Sequence, residues 1–321
     1  MKALQYRSIG GPEVLEWCET TDPAPGPGEV IVKLEAAGMN YADIYRRQGL
    51  FSQRGVAPWV PGWEGAGTIV DLGPDGAAAG FGIGDKVAWC DSPNSNAELV
   101  AVAIDKLIRL PSSISARQAA SVLLQGLTAH YLVHDSHPLK AGDWSVVHAA
   151  GGGVGLLLIQ IIKHLRGRVI ALASSPEKRQ AACDAGAEVA IGYEDWIERV
   201  HTVTGGGADV VFDSVGTTIL DSLKATRVGG RSVFFGFAGG QPPAIDPRLL
   251  MNRSLTLTGG DLWNVLTTPE TRRARAAELF SWIEEGVVAT RVSRVFALQD
   301  GAQAHRFLES RASIGKVLLI P

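Results

Sequence analysis

The run Trp144-Ser-Val-Val-His-Ala-Ala-Gly151-Gly-Gly-Val-Gly155, continued by an apolar stretch to Leu165 and then by Arg168-Val-Ile-Ala-Leu-Ala173, decides the fold. A β-branched run enters glycines, the glycines open an apolar helix, and a second β-branched run follows. That is the strand-turn-helix-strand grammar of a parallel sheet. Ala150, Gly152 and Gly155 keep the G-x-G-x-x-G spacing, with alanine in the first place. Such a turn lets backbone N–H groups approach a pyrophosphate, and the helix start behind it favours an anion. A glycine triplet alone is only a loop; within this unit it predicts dinucleotide binding.

The alternation continues downstream. Helices are predicted over Pro176–Ala185, Asp195–Val203 and Thr217–Ala225, and strands over Glu188–Ile191, Ala208–Asp213 and Gly230–Phe235. The expected fold is therefore α/β, with a doubly wound parallel sheet. Upstream the pattern differs. Glu29–Glu35, Gly65–Val70 and Asp85–Trp89 read as short strands separated by Pro25-Gly-Pro-Gly28 and Gly73-Pro-Asp-Gly76, an irregular and mostly antiparallel β domain. The tail predicts an amphipathic helix over Pro269–Glu285, a strand over Arg291–Ala297, a helix over Gln299–Ser310 and a last strand over Lys316–Ile320. Periodicity leaves open whether this tail extends the parallel sheet or returns to the first domain.

The second strand of a dinucleotide fold usually ends in an acid that accepts from the ribose 2′-OH. Here it ends Ala173-Ser-Ser-Pro176, with Lys178 and Arg179 following Glu177. A hydroxyl at Ser174 and a cation at Lys178 suit a 2′-phosphate, so NADPH is expected rather than NADH. The plainer alternative is that Lys178 and Arg179 form a solvated helix face.

Length and composition set the frame. The 321 residues suggest about two domains. Hydrophobic residues at 46% and charged residues at 20% suffice for sizeable cores and exclude a disordered chain. The formal net charge is −3 with no basic block, so no nucleic-acid partner is expected. The three cysteines, Cys18, Cys90 and Cys183, have neither disulfide nor zinc spacing, which fits a reducing cytoplasm. The opening residues lack an apolar signal region, and Val154–Ile162 falls short of the roughly 20 residues a span needs, so no membrane association is expected. His130, His134, His137, His148, His164, His201 and His305 show no ligand spacing, and no serine sits in G-x-S-x-G.

Several further stretches carry a resemblance. They are Gly10-Gly-Pro-Glu-Val-Leu15, Gly38-Met-Asn-Tyr-Ala-Asp-Ile-Tyr45, Pro61-Gly-Trp-Glu-Gly-Ala-Gly67, Gly82-Ile-Gly-Asp-Lys-Val87, Gln125-Gly-Leu-Thr-Ala129, Ala149–Gly155, Asp213-Ser-Val-Gly216 and Glu309-Ser-Arg-Ala312. Together they resemble the quinone oxidoreductase (zeta-crystallin-like) branch of the zinc-independent medium-chain dehydrogenases/reductases, over essentially the whole chain. The resemblance implies a GroES-like catalytic domain at 1–122 and 259–321, a Rossmann domain at 123–258, a cofactor in the cleft between them, and a homodimer.

It also implies roles. Asn40 and Tyr45 match residues lining the nicotinamide and acceptor cleft, where an amide and a phenol reach a substrate oxygen; the competing readings are a turn residue and a packing residue. Asp43 matches a loop support. Thr128 matches the hydroxyl at the carboxamide end of the cofactor, against an ordinary helix-interior threonine. Gly152, Gly153 and Val154 would meet pyrophosphate, and Tyr193 would flank adenine. Ser214 ends the fourth strand, and Phe235, Gly236 and Phe237 would lie beside nicotinamide, with Phe235 equally readable as core. Arg311 matches a cofactor-proximal arginine, or else makes a surface salt bridge.

Zinc-dependent relatives would place ligands at Asn40, Trp63 and Gln125, none of which is Cys or His, so no metal is expected. Without a Lewis acid an electron-poor acceptor is needed, and a quinone or an α,β-unsaturated carbonyl supplies it. Two departures stand out. Gly49-Leu-Phe51 replaces the Gly-x-Tyr step of enoyl-thioester reductase relatives and removes their usual proton donor, and Phe237 replaces a polar residue and favours bulky aromatic quinones. The alternatives are an NADPH-dependent alkenal or enoyl-thioester reductase and a non-enzymatic NADPH-binding redox sensor.

Overall fold

A computed structural model describes residues 1–53, 55–74 and 80–321. The chain falls into two units, Met1–Leu124 with Leu266–Glu284 and Thr290–Pro321, and Gln125–Val265 with Glu285–Ala289.

In the first unit β1 (Lys2–Gln5) and β2 (Glu16–Glu19) pair antiparallel. The turn at Gly26–Gly28 closes with a bond from Glu29 N to Gly26 O (3.1 Å) and leads into β3 (Glu29–Met39). The sequence suggested a strand only to Glu35. The extension through Ala36–Met39 comes from burial and a late partner, not local propensity. A short helix, α1 (Tyr41–Arg47), follows, and then β4 (Gly65–Leu72), β5 (Lys86–Trp89), β6 (Leu99–Ala103) and β7 (Ile108–Arg109); the long helix α2 (Ala116–Tyr131) begins in this unit and ends in the second. Asp75 and Gly76 of the expected turn lie outside the described residues.

The second unit alternates as its sequence predicts. It contains β8 (Trp144–Val147), α3 (Gly153–His164), β9 (Arg168–Leu172), α4 (Pro176–Asp184), β10 (Val189–Ile191), α5 (Trp196–Thr204), β11 (Ala208–Asp213) and α6 (Ile219–Ala225). Then come β12 (Thr226–Phe234), α7 (Pro247–Met251), β13 (Thr256–Gly259) and α8 (Leu262–Val265). The strand order is β10-β9-β8-β11-β12-β13, and every pairing is parallel. Strand order therefore reverses between β8 and β11, the place where a doubly wound sheet binds its ligand.

Two expectations need correction. β12 begins at Thr226, ahead of Gly230, because Thr226 pairs with Ala208 and its hydroxyl bonds Ser232 Oγ (2.9 Å) and Ser222 O (2.7 Å). β13 was not expected at all: four residues at a sheet edge, half of them exposed, give little pattern.

The tail rejoins the first unit with α9 (Pro269–Glu284), β14 (Val292–Ala297), α10 (Gly301–Glu309) and β15 (Lys316–Ile320). β14 and β15 pair parallel, and β15 adds antiparallel to the far end of β3, Val317 opposite Met39. One edge of β3 thus carries β4, and the other carries β6 over Glu29–Lys33 and β15 over Ala37–Met39. The apolar face packs Val30, Val32, Ile69, Val87, Val102 and Leu319 into one core. Trp89 is fully buried there because its indole N–H reaches Ser95 Oγ at 2.8 Å. The stripe of α9 is not wholly apolar: Arg272 stands among Ala276, Leu279 and Phe280, buried, paired with Asp91 (2.8 Å) and donating to the Asp105 carbonyl (2.7 Å).

Candidate active site

Gly152 caps α3 in an extended conformation, and the first intrahelical bond runs from Leu156 N to Gly152 O (3.0 Å). The N–H groups of Gly153, Val154 and Gly155 therefore have no acceptor within the helix, as a pyrophosphate site requires. The turn is tight. A Cβ on Gly155 would stand 2.7 Å from Ala150 Cα and 2.8 Å from the Ala149 carbonyl oxygen, and one on Gly153 would overrun the Gln125 side-chain oxygen. A Cβ on Gly151 would meet Lys178 Cβ and Cγ at 2.8 Å, so the Lys178 stem lies against the glycine turn.

Ser174 is exposed just beyond β9. Its neighbour Ser175 caps α4 by accepting from Lys178 N at 3.3 Å. Arg179 folds back to donate to the Ala173 carbonyl (3.2 Å) and is not on a purely solvated face. The Tyr193 hydroxyl accepts from Ala149 N at 3.1 Å, and its ring lies 5.7 Å from that of His148, which places it beside the turn.

Across the strand-order reversal Asp213 ends β11. It accepts from Val215 N (2.8 Å), Gly216 N (3.0 Å), Thr218 Oγ1 (2.8 Å) and Ser222 Oγ (2.7 Å), fixing the loop that carries Ser214. Burial pushes this carboxyl up, but the hydrogen bonds from Ser222, Gly216 and Thr218 hold it below the ordinary range. Because Ser222 gives its proton to Asp213, His148 Nε2 must donate to Ser222 Oγ, 3.1 Å away; burial lowers the imidazole, which stays neutral. Sequence reasoning missed this buried cluster, whose members lie far apart in the chain. Phe235, Gly236 and Phe237 follow β12 and are half-buried, so Phe235 is not the core residue its alternative reading made it. Gly236 faces Ser214: a Cβ there would lie 3.3 Å from its carbonyl oxygen. Thr128 is buried within α2.

In the first unit Asn40 caps α1, and Asp43 returns the contact by accepting from Asn40 N at 2.9 Å. The Asn40 amide is held on every side. Nδ2 donates to Glu64 Oε2 (2.8 Å) and to Gly38 O (3.3 Å), while Oδ1 accepts from Lys316 Nζ (2.9 Å). Lys316 and Glu64 form an ion pair of 2.5 Å, with side chains 1% and 0% exposed. Glu64 Oε1 also accepts from Leu124 N in α2 (2.7 Å). Both amide hydrogens are thus committed, and donation from Asn40 to a substrate oxygen would require breaking one bond. Neither Glu64 nor Lys316 was singled out from the sequence; partners separated by 252 positions leave no local signal.

Tyr45 is buried on α1, its ring 5.3 Å from Phe51 and 6.1 Å from Tyr41. The helix is anchored by fully buried Arg47, which donates to Gly10 O (3.1 Å), bonds His305 Nδ1 (3.1 Å) and pairs with Glu309. Burial and that guanidinium drive His305 down to about 3, so it stays neutral and accepts. Arg311 is exposed, has a left-handed backbone (φ 58°), and lies beside the Tyr41 hydroxyl.

The donors at the positions matching the relatives' zinc ligands do not fit a zinc ion. Asn40 is locked into the Glu64–Lys316 pair, Trp63 lies under the Arg46 guanidinium at 4.0 Å, and Gln125 is carboxamide. One histidine reading changes: His130 and His134, four apart along the helix, do face each other with ring centres 4.4 Å apart. Among the described residues no helix is long and apolar enough to cross a membrane.

Comparison with known proteins agrees with this arrangement. The alcohol dehydrogenase GroES-like domain family matches residues 26–140, and the zinc-binding dehydrogenase family matches 153–282. A quinone oxidoreductase from Pseudomonas aeruginosa is 38% identical over 326 residues, covering 100% of this chain and 99% of that protein. The chain belongs to the quinone oxidoreductase branch of the medium-chain dehydrogenase/reductase superfamily. Escherichia coli quinone oxidoreductase complexed with NADPH superposes with a TM-score of 0.96 at 35% identity, covering all of both chains. A 2-haloacrylate reductase from Burkholderia is 33% identical over 97% of this chain and 96% of that one. Proteins similar to this chain over nearly its whole length thus bear names for different acceptors.

Proposed function

We propose that this member of the branch is an NADPH:quinone oxidoreductase that reduces a quinone or related α,β-unsaturated carbonyl without zinc. Full-length identity of 35–38% to several bacterial quinone oxidoreductases carries the reading. The residues of the second unit fit NADPH. Gly153, Val154 and Gly155 offer N–H groups to the pyrophosphate, Lys178 and Ser174 supply charge and hydroxyl for the 2′-phosphate, and Tyr193 flanks adenine. Ser214 and Phe235–Phe237 border the nicotinamide, with Thr128 at its carboxamide. When bound, NADPH supplies a hydride to the conjugated acceptor. On the acceptor side Asn40 and Tyr45 orient the substrate, and Arg311 stands near the cofactor. With Phe51 in place of a tyrosine, enoyl-thioester reduction lacks its usual acid. The protein works in the cytoplasm as a homodimer; an open edge at β13, near exposed Val228 and Met251 (65% and 71%), supports pairing of two copies. Light scattering should return twice the monomer mass of 34.0 kDa; a monomer at micromolar concentration would refute this.

The test follows NADPH and NADH oxidation with 9,10-phenanthrenequinone and with a simple enone, with and without a chelator. NADPH-preferring turnover that survives chelation is expected, stronger on polycyclic than on small quinones. Lys178→Ala should raise the KM for NADPH ~10-fold and leave that for NADH nearly unchanged, since one charge-assisted contact is worth about 1.5–3 kcal/mol. Equal loss with both cofactors would assign Lys178 a structural role. Tight NADPH binding without turnover on any acceptor would favour the redox-sensor reading.

A further inference from the structure

Near the end of α2 the second unit brings two imidazoles together. His130 and His134 are four positions apart, about one turn of helix, and their ring centres stand 4.4 Å from each other with the planes inclined by 40°. A nitrogen of one ring comes within 4.8 Å of a nitrogen of the other. The backbone is unusual at this point. α2 passes into a π turn over Leu132–Ser136, closed by His137 N donating to Leu132 O at 3.0 Å. Such turns are rare and recur at functional sites. His130 is only 3% exposed, which fixes its ring, whereas His134 is exposed and gives access from solvent. Neighbouring His137 is engaged elsewhere, its Nε2 lying 3.1 Å from Asp143 Oδ2. Two positions along a helix amount to a rotation of ~200°, so His130 leaves α2 on the opposite side from Thr128.

We infer that His130 and His134 form a binding site for a divalent transition cation of the zinc and copper class. Neutral imidazole is the commonest protein ligand for these ions. With metal–nitrogen bonds of about 2.0–2.1 Å, a cation held by two imidazoles spans up to about 4.2 Å. At the 4.8 Å limit the exposed His134 ring closes the difference with a shift of ~0.6 Å. Holding both rings on one turn makes the second bond intramolecular, so the pair captures a cation far more strongly than one surface histidine does. Two imidazoles supply half of a tetrahedral set, and small ligands from solution complete it. The bound cation ties the end of α2 to its π turn and takes no part in hydride transfer. The site is independent of the reductase reading and leaves its zinc-free chemistry as it stands.

Titration of the full-length protein, freed of metal by a chelator, with Zn²⁺ and with Cu²⁺ tests the site. Calorimetry should return a first equivalent of Zn²⁺, and thermal unfolding should shift upward as free Zn²⁺ rises, as for any ligand that prefers the folded chain. His134→Gln alters an exposed position and should leave the fold intact, yet it should weaken that first equivalent by about 100-fold and remove the thermal shift. His164→Gln, at an exposed histidine of α3, is the control and should change neither. Electron paramagnetic resonance of the Cu²⁺ form should show two nitrogen ligands in the parent and one in His134→Gln. Absence of Zn²⁺ binding, an unchanged first equivalent in His134→Gln, or a single nitrogen in the parent spectrum overturns the proposal. None of these readouts uses turnover, so the site and the reductase reading stand or fall separately.

Discussion

Lys316→Met will destabilise the protein by ~3–5 kcal/mol in urea unfolding at neutral pH, one of the largest effects of any single substitution away from the glycine turn. The methionine fills similar space, so the loss is not a cavity. It removes the only cation within reach of Glu64 among the contacts described, leaving a carboxylate that is 0% exposed to be satisfied by Asn40 Nδ2 and Leu124 N. A buried carboxylate left without its cation carries an uncompensated desolvation cost. Adding Glu64→Gln should restore much of the loss, because a neutral amide needs no counter-charge. A deficit below about 1 kcal/mol for the single variant, or additivity in the double, would mean that the pair is electrostatically idle. Activity reports separately, since Lys316 also holds Asn40 Oδ1 and its removal lets the amide turn.

Gly155→Ala carries the second large effect, on cofactor affinity. The added Cβ would meet backbone at 2.7–2.8 Å in Ala149 and Ala150, so no side-chain rotation relieves it and the start of α3 must move off the turn. A displacement near 1 Å carries the N–H groups of Gly153 and Val154 away from the pyrophosphate, and NADPH binding should weaken by about two orders of magnitude in calorimetry. Circular dichroism should show the sheet intact. Wild-type affinity in a folded Gly155→Ala protein would remove the glycine turn from the cofactor site.

Much of the fold is legible because its signals are local. Five strands of the second unit and the helices between them follow from β-branched runs, glycine and a 3.6-residue period, and the glycine turn announces its ligand through its place between a strand and a helix. What escapes is tertiary. Glu64 lies inside a quoted motif, yet nothing near it in sequence says that Lys316 neutralises it. Arg272 occupies an apolar position of α9 because Asp91, on a distant segment, pays for its burial. His148, Ser222 and Asp213 meet only when the strand order brings β8 beside β11. The Asn40 amide could be picked out as a site residue, but not the fact that both of its hydrogens are engaged.

The placement of β15 on the far end of β3 has a consequence for how the chain is made. Residues 37–39 leave the ribosome long before Val317–Leu319, which pair with them. The second unit, drawn almost entirely from the middle of the chain, has all its strands before that partner exists. During synthesis the strand edge at Ala37–Met39 therefore waits open while the second unit is made, and closing it is a search between segments far apart in sequence. The order of completion thus departs from the order of synthesis: a strand edge made before the second unit is closed after it.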